Sequence, residues 1–161
     1  MPQFILDSAG TVDLPPAPVA FDHLDEFTRG YIEALFFTEE APGVDSEEFE
    51  TPEYQAADGS IPGDVGFSEL APDALAKIMR DCAAFQAAAA PLLALAYERD
   101  YSEEQAGRDF WLTRNGHGAG FWDRDALAAD DLGRQLSDLC GWRTPFAEVA
   151  IYFHAGTVRL I

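Results

Sequence analysis

The stretch "DFWLTRNGHGAGFWDR", residues 109–124, collects the side chains best suited to chemistry. His117 stands among Gly116, Gly118 and Gly120, with Asn115 before them and a Phe-Trp pair on either side. Asp109 and Asp123, with Arg108, Arg114 and Arg124, put charge at both ends. Three reactive readings follow from these types. Successive glycine amides can cradle an anion, but no Lys-Ser/Thr follows the glycines and no apolar strand precedes them. An HGxG segment can line an oxyanion hole, but that chemistry needs a nucleophile elbow, and no G-x-S-x-G is present. His117 can move a proton with Asp109 or Asp123 as its orienting carboxylate, yet no nucleophile or metal-ligand set stands beside it. His23, His117 and His154 are too scattered to argue for a metal, and His23 and His154 read as surface or turn residues.

Two further readings remain, of which the first explains every residue type in the stretch. In the first it is structural: Asn115-Gly116, Gly118 and Gly120 reverse the chain, bringing Phe110-Trp111 near Phe121-Trp122 while the acids and arginines pair around them. In the second it is a partner-binding surface, where Trp and Arg are favoured anchors. Asp109, Trp111, Arg114, Asn115, His117, Trp122 and Asp123 are therefore expected to be structural or partner-binding. No catalytic residue, metal or cofactor is assigned.

The elements that must hold this stretch are readable on both sides. "QFILDSAGTVDL" (3–14) and "EVAIYFHAGTVRLI" (148–161) each read as strand, turn, strand, with Ala9-Gly10 and Ala155-Gly156 at the corners. Pairing the two chain ends gives one small antiparallel sheet, and "PPAP" (15–18) is a stiff connector. A first helix is expected from about Asp22 to Thr38, capped by Asp22, with Phe21, Leu24, Phe27, Tyr31, Ile32 and Leu35 on one face. Helix two starts near Pro72 and carries Leu75, Ile78, Met79, Cys82, Phe85, Leu92 and Leu93; Pro91 must kink or split it. Alanines 87–90 suggest close approach by a neighbouring helix. Ser102 offers a cap with a reciprocal Gln105, and Asn115-Gly116 a stop. A last short helix spans about Asp130 to Cys140. The expectation is α+β: one domain over 1–161, with three to five helices packed on a small antiparallel sheet formed by N- and C-terminal hairpins.

Composition narrows the function. The 161 residues carry a net charge of −19, yet 48% are apolar, which suits one globular domain rather than a disordered polyanion. Residues 1–79 hold 17 acids against Arg29 and Lys77, a net of −15. The span 39–64 has nine acids, three prolines and no base, and reads as an acidic, solvated loop. Such a field repels nucleic acid and anionic membranes and attracts basic partners. The apolar run "CAAFQAAAAPLLALAY" is interrupted by Gln86 and Pro91 and falls short of a membrane span. Cys82 and Cys140 form no CxxC pattern and read as reduced core thiols, so a cytoplasmic protein without a signal peptide is expected.

"EEQAGRDFWLTRNGHGAGFWDR", with "FTRGYIEALFFTEE", "ELAPDALAKIMRDCAAFQ" and "VAIYFHAGTVRLI", resembles a family of small, acidic, uncharacterised proteins of bacteriophages and mobile elements. The likeness covers roughly 20–161. Family members usually carry His where this chain has Arg108, which weakens any claim for a catalytic histidine there. The resemblance implies a phage setting and no mechanism. The functional expectation is a non-enzymatic protein that mimics nucleic acid. Through Glu39, Glu40, Asp45, Glu47, Glu48, Glu50 and Glu53 it would bind a basic nucleic-acid-binding host defence complex, a CRISPR effector or a restriction enzyme. The alternatives are an accessory phage protein whose acidity serves solubility, and a small enzyme using the His117 loop.

Overall fold

A computed structural model describes residues 19–49 and 59–161. The expected N-terminal strand pair lies outside these residues, as do Glu50 and Glu53.

Helix α1 (Glu26–Glu39) begins at Asp25, whose carboxylate accepts the Thr28 amide at 2.7 Å. The expected cap, Asp22, instead sits in a 3₁₀ turn over Phe21–His23, and the chain leaves that turn extended through Leu24. Asp25 is the first acid positioned to reach a free helix amide. Phe27, Tyr31, Ile32 and Leu35 are fully buried, as the apolar spacing requires.

Helix α4 (Glu103–Arg114) carries the first part of the 109–124 stretch. Ser102 caps it as expected, accepting the Gln105 amide at 3.0 Å. The Gln105 side chain does not return to the cap; it donates to Asp109 at 3.1 Å, because a buried carboxylate needs that donor more than a solvated helix end does. The helices α1 and α4 are the most intimately packed pair, and glycines make that possible. A Cβ on Gly30 would overlap the carbonyl oxygen of Glu104, and a Cβ on Gly107 would overlap that of Phe27. Across their exposed edge Arg108 ties Glu33 to Glu104.

Helix α2 starts with Pro72 in its first turn and runs to Ala88, and α3 continues from Ala90 to Tyr97. The expected break is real: the axes bend by 82°, with Pro91 in the first turn of α3, where its missing N–H costs nothing. Of alanines 87–90 only Ala89 is buried, so the run marks this corner rather than a helix contact. Phe85 of α2 is the centre of the core. It stacks on Phe110 at 4.2 Å and on Phe121 at 5.7 Å, while Phe146 meets its edge at 5.2 Å. Helix α5 (Leu132–Ser137) is shorter than expected because Asp130 and Asp131 both adopt positive φ before it.

Two small sheets complete the α+β arrangement. Strand β1 (Glu40–Ala41) pairs in parallel with β2 (Ile61–Pro62), Glu40 opposite Ile61. Strands β3 (Ile151–His154) and β4 (Thr157–Leu160) form the expected C-terminal hairpin, with Ala155 and Gly156 both at positive φ in its two-residue turn. The Ala71 amide, ahead of α2, donates to the Val158 carbonyl at 2.9 Å, so the hairpin docks at the start of α2. Among the described residues no single helix is long and apolar enough to cross a membrane. Both cysteines are free; Cys82 is buried and Cys140 partly so, and burial pushes the Cys140 thiol up to about 12.

Candidate functional site

Asp109 is wholly buried on α4, and three side chains converge on it. Arg124 donates from Nε at 3.0 Å and from its terminal nitrogen at 2.6 Å, Tyr101 donates its hydroxyl at 2.6 Å, and Gln105 its amide at 3.1 Å. A buried carboxylate is tolerable only with such full satisfaction. Burial and the neighbouring carboxylate push the Tyr101 hydroxyl far above its ordinary value, so it stays a donor. The hydrogen bond to Asp109 raises the Arg124 guanidinium in turn. With every lone-pair direction of Asp109 engaged, this carboxylate serves packing of the turn against α4.

The neighbours of Asp109 are spent in the same way. Trp111 is buried, edge-on to Tyr31 at 5.3 Å, and its indole N–H reaches the Thr38 hydroxyl at 2.8 Å. Arg114 is buried and donates to Asp81 at 2.9 Å, to the Tyr31 hydroxyl at 3.2 Å and to the Ala147 carbonyl at 2.9 Å. Burial alone would lower its guanidinium; Tyr31 and Asp81 more than offset that. Asn115 ends α4, donating to the Trp111 carbonyl and accepting the Val149 amide, which locks the turn to the chain before β3. Asp123 accepts the Gly120 amide at 3.0 Å and the Thr113 hydroxyl accepts that of Phe121. The turn therefore does bring the two Phe-Trp pairs back together, but only in part. Phe110 and Phe121 meet through Phe85, Trp111 faces α1, and Trp122 is 55% exposed. After the turn, Phe121 opens a 3₁₀ segment that points its neighbour outward.

His117 is the member of the stretch with least to do. Its Nε2 is buried without a hydrogen-bond partner, 3.8 Å from Oε2 of Glu39. It lines a cleft of about 320 Å³ together with Glu39, Ser60, Asn115, Glu148, Val149, Ala150 and Ile151. His23 and His154 are exposed and apart from it. Among the described residues no group of three His, Cys, Asp or Glu is arranged to hold a metal ion.

The described acids of the 39–64 span are carried on a clasped segment. Besides the β1–β2 pair, the Ser60 amide donates to the Glu39 carbonyl at 2.7 Å and the Gly63 amide to the Val44 carbonyl at 2.6 Å. Asp64 accepts from both the amide and the hydroxyl of Ser46, and Asp45 accepts the amides of Glu47 and Glu48. Phe49 is buried edge-on to Phe153 of the hairpin at 5.2 Å. Glu40, Asp45, Glu47 and Glu48 are exposed, Glu39 half-buried. No Lys or Arg among the described residues lies within ion-pair distance of Glu40, Asp45, Glu47 or Asp64. Phe37, just before these acids on α1, is 85% exposed. Sequence reading passed over Asp81, Tyr101 and Glu148. Asp81 stands 33 residues from Arg114, and Glu148 comes to the cleft only through the fold; Tyr101 meets Asp109 across the extended residue that precedes α4, so no helical spacing marks the pair.

Comparison with known proteins gave no match: no protein-family model, no curated protein and no solved structure matches this chain.

Proposed function

We propose that this chain is a non-catalytic protein of a phage or mobile element whose acidic surface takes the place of nucleic acid on a basic site of a host defence complex, either a CRISPR effector or a restriction enzyme. The observation that carries the reading is the uncompensated acidity of the clasped segment, where Glu40, Asp45, Glu47 and Asp64 face solvent and form no ion pair with a Lys or Arg of the described residues. Most cations elsewhere are consumed inside the molecule. Arg114 and Arg124 are committed to Asp81 and Asp109, Arg99 to Asp130, and Arg134 to Asp131 and Asp138. Arg29 holds the carbonyls of Asp22 and Leu24. The field that reaches a partner is accordingly that of the acids. At physiological ionic strength it extends about 8 Å, enough to steer a basic groove into contact. Phe37 beside the acids supplies an aromatic anchor of the kind that carries binding energy once charge has brought surfaces together. The occupation of Asp109, Trp111 and Arg114 by internal contacts also supports a binding role over an acid–base one at that end of the stretch.

The test is capture from a bacterial lysate at low and high salt, with the bound proteins identified. Nucleic-acid-binding proteins should dominate the low-salt eluate and be lost at high salt. Their absence, or capture unchanged when Glu47, Glu48, Glu50 and Glu53 are all replaced by Gln, defeats the reading. An accessory protein whose acidity serves solubility gives that second outcome.

A further inference from the structure

We propose that two copies of this chain associate through the turn after α5, with Trp142 and Arg143 of one copy entering the pocket lined by Tyr97, Asp100, Tyr101, Ser102 and Gln105 of the other. This association owes nothing to the acidic surface proposed above.

Residues 141–144 form a turn that is held at several points. The Thr144 amide and hydroxyl both donate to the Gly141 carbonyl, at 3.1 and 2.7 Å. The Gly141 amide donates to the Phe146 carbonyl at 3.1 Å, and the Phe146 amide donates to the Thr144 hydroxyl at 3.1 Å. Phe146 roots the turn in the core against Phe85 and Phe110. The tip is thus fixed while its two side chains stand in water. Trp142 is 81% exposed, and the Arg143 guanidinium carbon lies 4.3 Å from the centre of its ring. Arg143 holds a φ of 70° at the third position of the turn, where glycine or asparagine is the ordinary choice. No carboxylate among the described residues lies within ion-pair distance of Arg143. A rigid turn that keeps a left-handed arginine beside an exposed indole has the composition of a binding anchor.

The chain's own surface supplies the matching receptor. The pocket of about 510 Å³ has room for an indole and a guanidinium together. Tyr97 and Tyr101 line it with aromatic rings, and Asp100 is exposed and pairs with no Lys or Arg of the described residues. Rings for the indole and a carboxylate for the guanidinium match the two side chains of the turn in type. Pocket and turn stand at opposite ends of α5. Arg99, next to Asp100, donates to the Ala129 carbonyl and to Asp130 just before that helix, whereas the turn follows its end. Two copies with their α5 helices antiparallel place each turn at the other's pocket, a two-fold contact that closes on a dimer.

Salt gives the association its signature. Two bodies of net charge −19 repel each other, and added salt screens that repulsion more than it weakens one ion pair. Dimerisation should therefore tighten as salt rises, the reverse of capture by a basic partner.

The experiment is sedimentation equilibrium of the full chain between about 0.05 and 0.5 M NaCl, with acrylamide quenching of tryptophan fluorescence alongside. A monomer–dimer equilibrium is expected, with a Kd on the order of 10–100 μM at the higher salt and quenching that falls as dimer forms. Trp142→Ala should weaken it about tenfold or more. Arg143→Gly should weaken it about fivefold while the melting temperature holds or rises, because glycine accepts the left-handed backbone. Arg143→Asp should abolish the dimer, and Asp100→Arg in the same chain should restore it. A monomer at every salt concentration, growth beyond dimer, a dimer indifferent to Trp142→Ala and Arg143→Asp, or failure of the charge exchange to restore it overturns the proposal. Loss of lysate capture in Trp142→Ala, with a parent chain that stays monomeric, assigns the turn to another protein and overturns it as well.

Discussion

Arg124 grips both carboxylate oxygens of Asp109 across the glycine turn, one partner entirely buried and the other 32% exposed. This pair fastens the end of the turn to the helix from which it departs. Replacing Asp109 by Ala strands Arg124, Tyr101 and Gln105 together, and should cost about 3–5 kcal/mol in urea unfolding. Arg124→Ala should cost nearly as much, and the double variant far less than the two singles combined. Additive losses would show that the two side chains act independently.

Gly30 and Gly107 predict a loss where helix propensity predicts a gain. Alanine is better than glycine inside a helix by about 1 kcal/mol. At either position, however, its Cβ would meet a carbonyl of the opposite helix. Gly30→Ala and Gly107→Ala should each destabilise by about 1–3 kcal/mol or more. Gly118→Ala, where a Cβ meets nothing within 4 Å, should be close to neutral. Stabilisation at Gly30 would mean the helices stand further apart than described.

The three aromatic residues Trp111, Trp122 and Phe37 should separate stability from binding. Trp111→Ala removes a buried indole and its bond to Thr38, for an expected cost of about 3–5 kcal/mol in thermal or urea unfolding. Trp122→Ala should stay within about 1 kcal/mol of the parent. Phe37→Ala should leave the melt unchanged and weaken capture of the partner; unchanged capture would remove Phe37 from the proposed surface.

Asp25 gives a pH signature. Burial pushes its carboxyl up, but the Thr28 hydroxyl and amide and the Gln86 amide more than offset that, so it sits below its ordinary value of 3.8. A carboxyl depressed on folding stabilises the native state above its unfolded value and loses that contribution as pH falls through the folded one. Asp25→Ala should thus cost about 1 kcal/mol at pH 7, and the deficit should narrow below about pH 4. A difference constant from pH 7 to pH 2.5 would contradict the cap.

The local features of this fold were legible in the sequence, and the distant pairings were not. Pro72 opening α2, the split at Pro91, Ser102 capping α4 and the Ala155-Gly156 corner each depend on residues a few positions apart. Asp25 displaced Asp22 as a cap because the extended residue before a helix is settled by how Leu24 packs. Trp111 is buried by α4 packing on α1, whereas Trp122 is turned outward by the way the chain leaves Gly120, a matter of backbone direction that letters do not encode. The cleft joins Glu39, His117 and Glu148, and only the folded chain brings the ends of α1 and α4 to one place.

Exclusive binding tests the central claim most directly. A captured partner is loaded with its nucleic acid, labelled, and titrated with this protein while bound nucleic acid is followed by anisotropy at several salt concentrations. Mimicry predicts complete displacement, no ternary complex, and an affinity that falls steeply with salt. A stable ternary complex, with nucleic acid still bound at saturating protein, would contradict it.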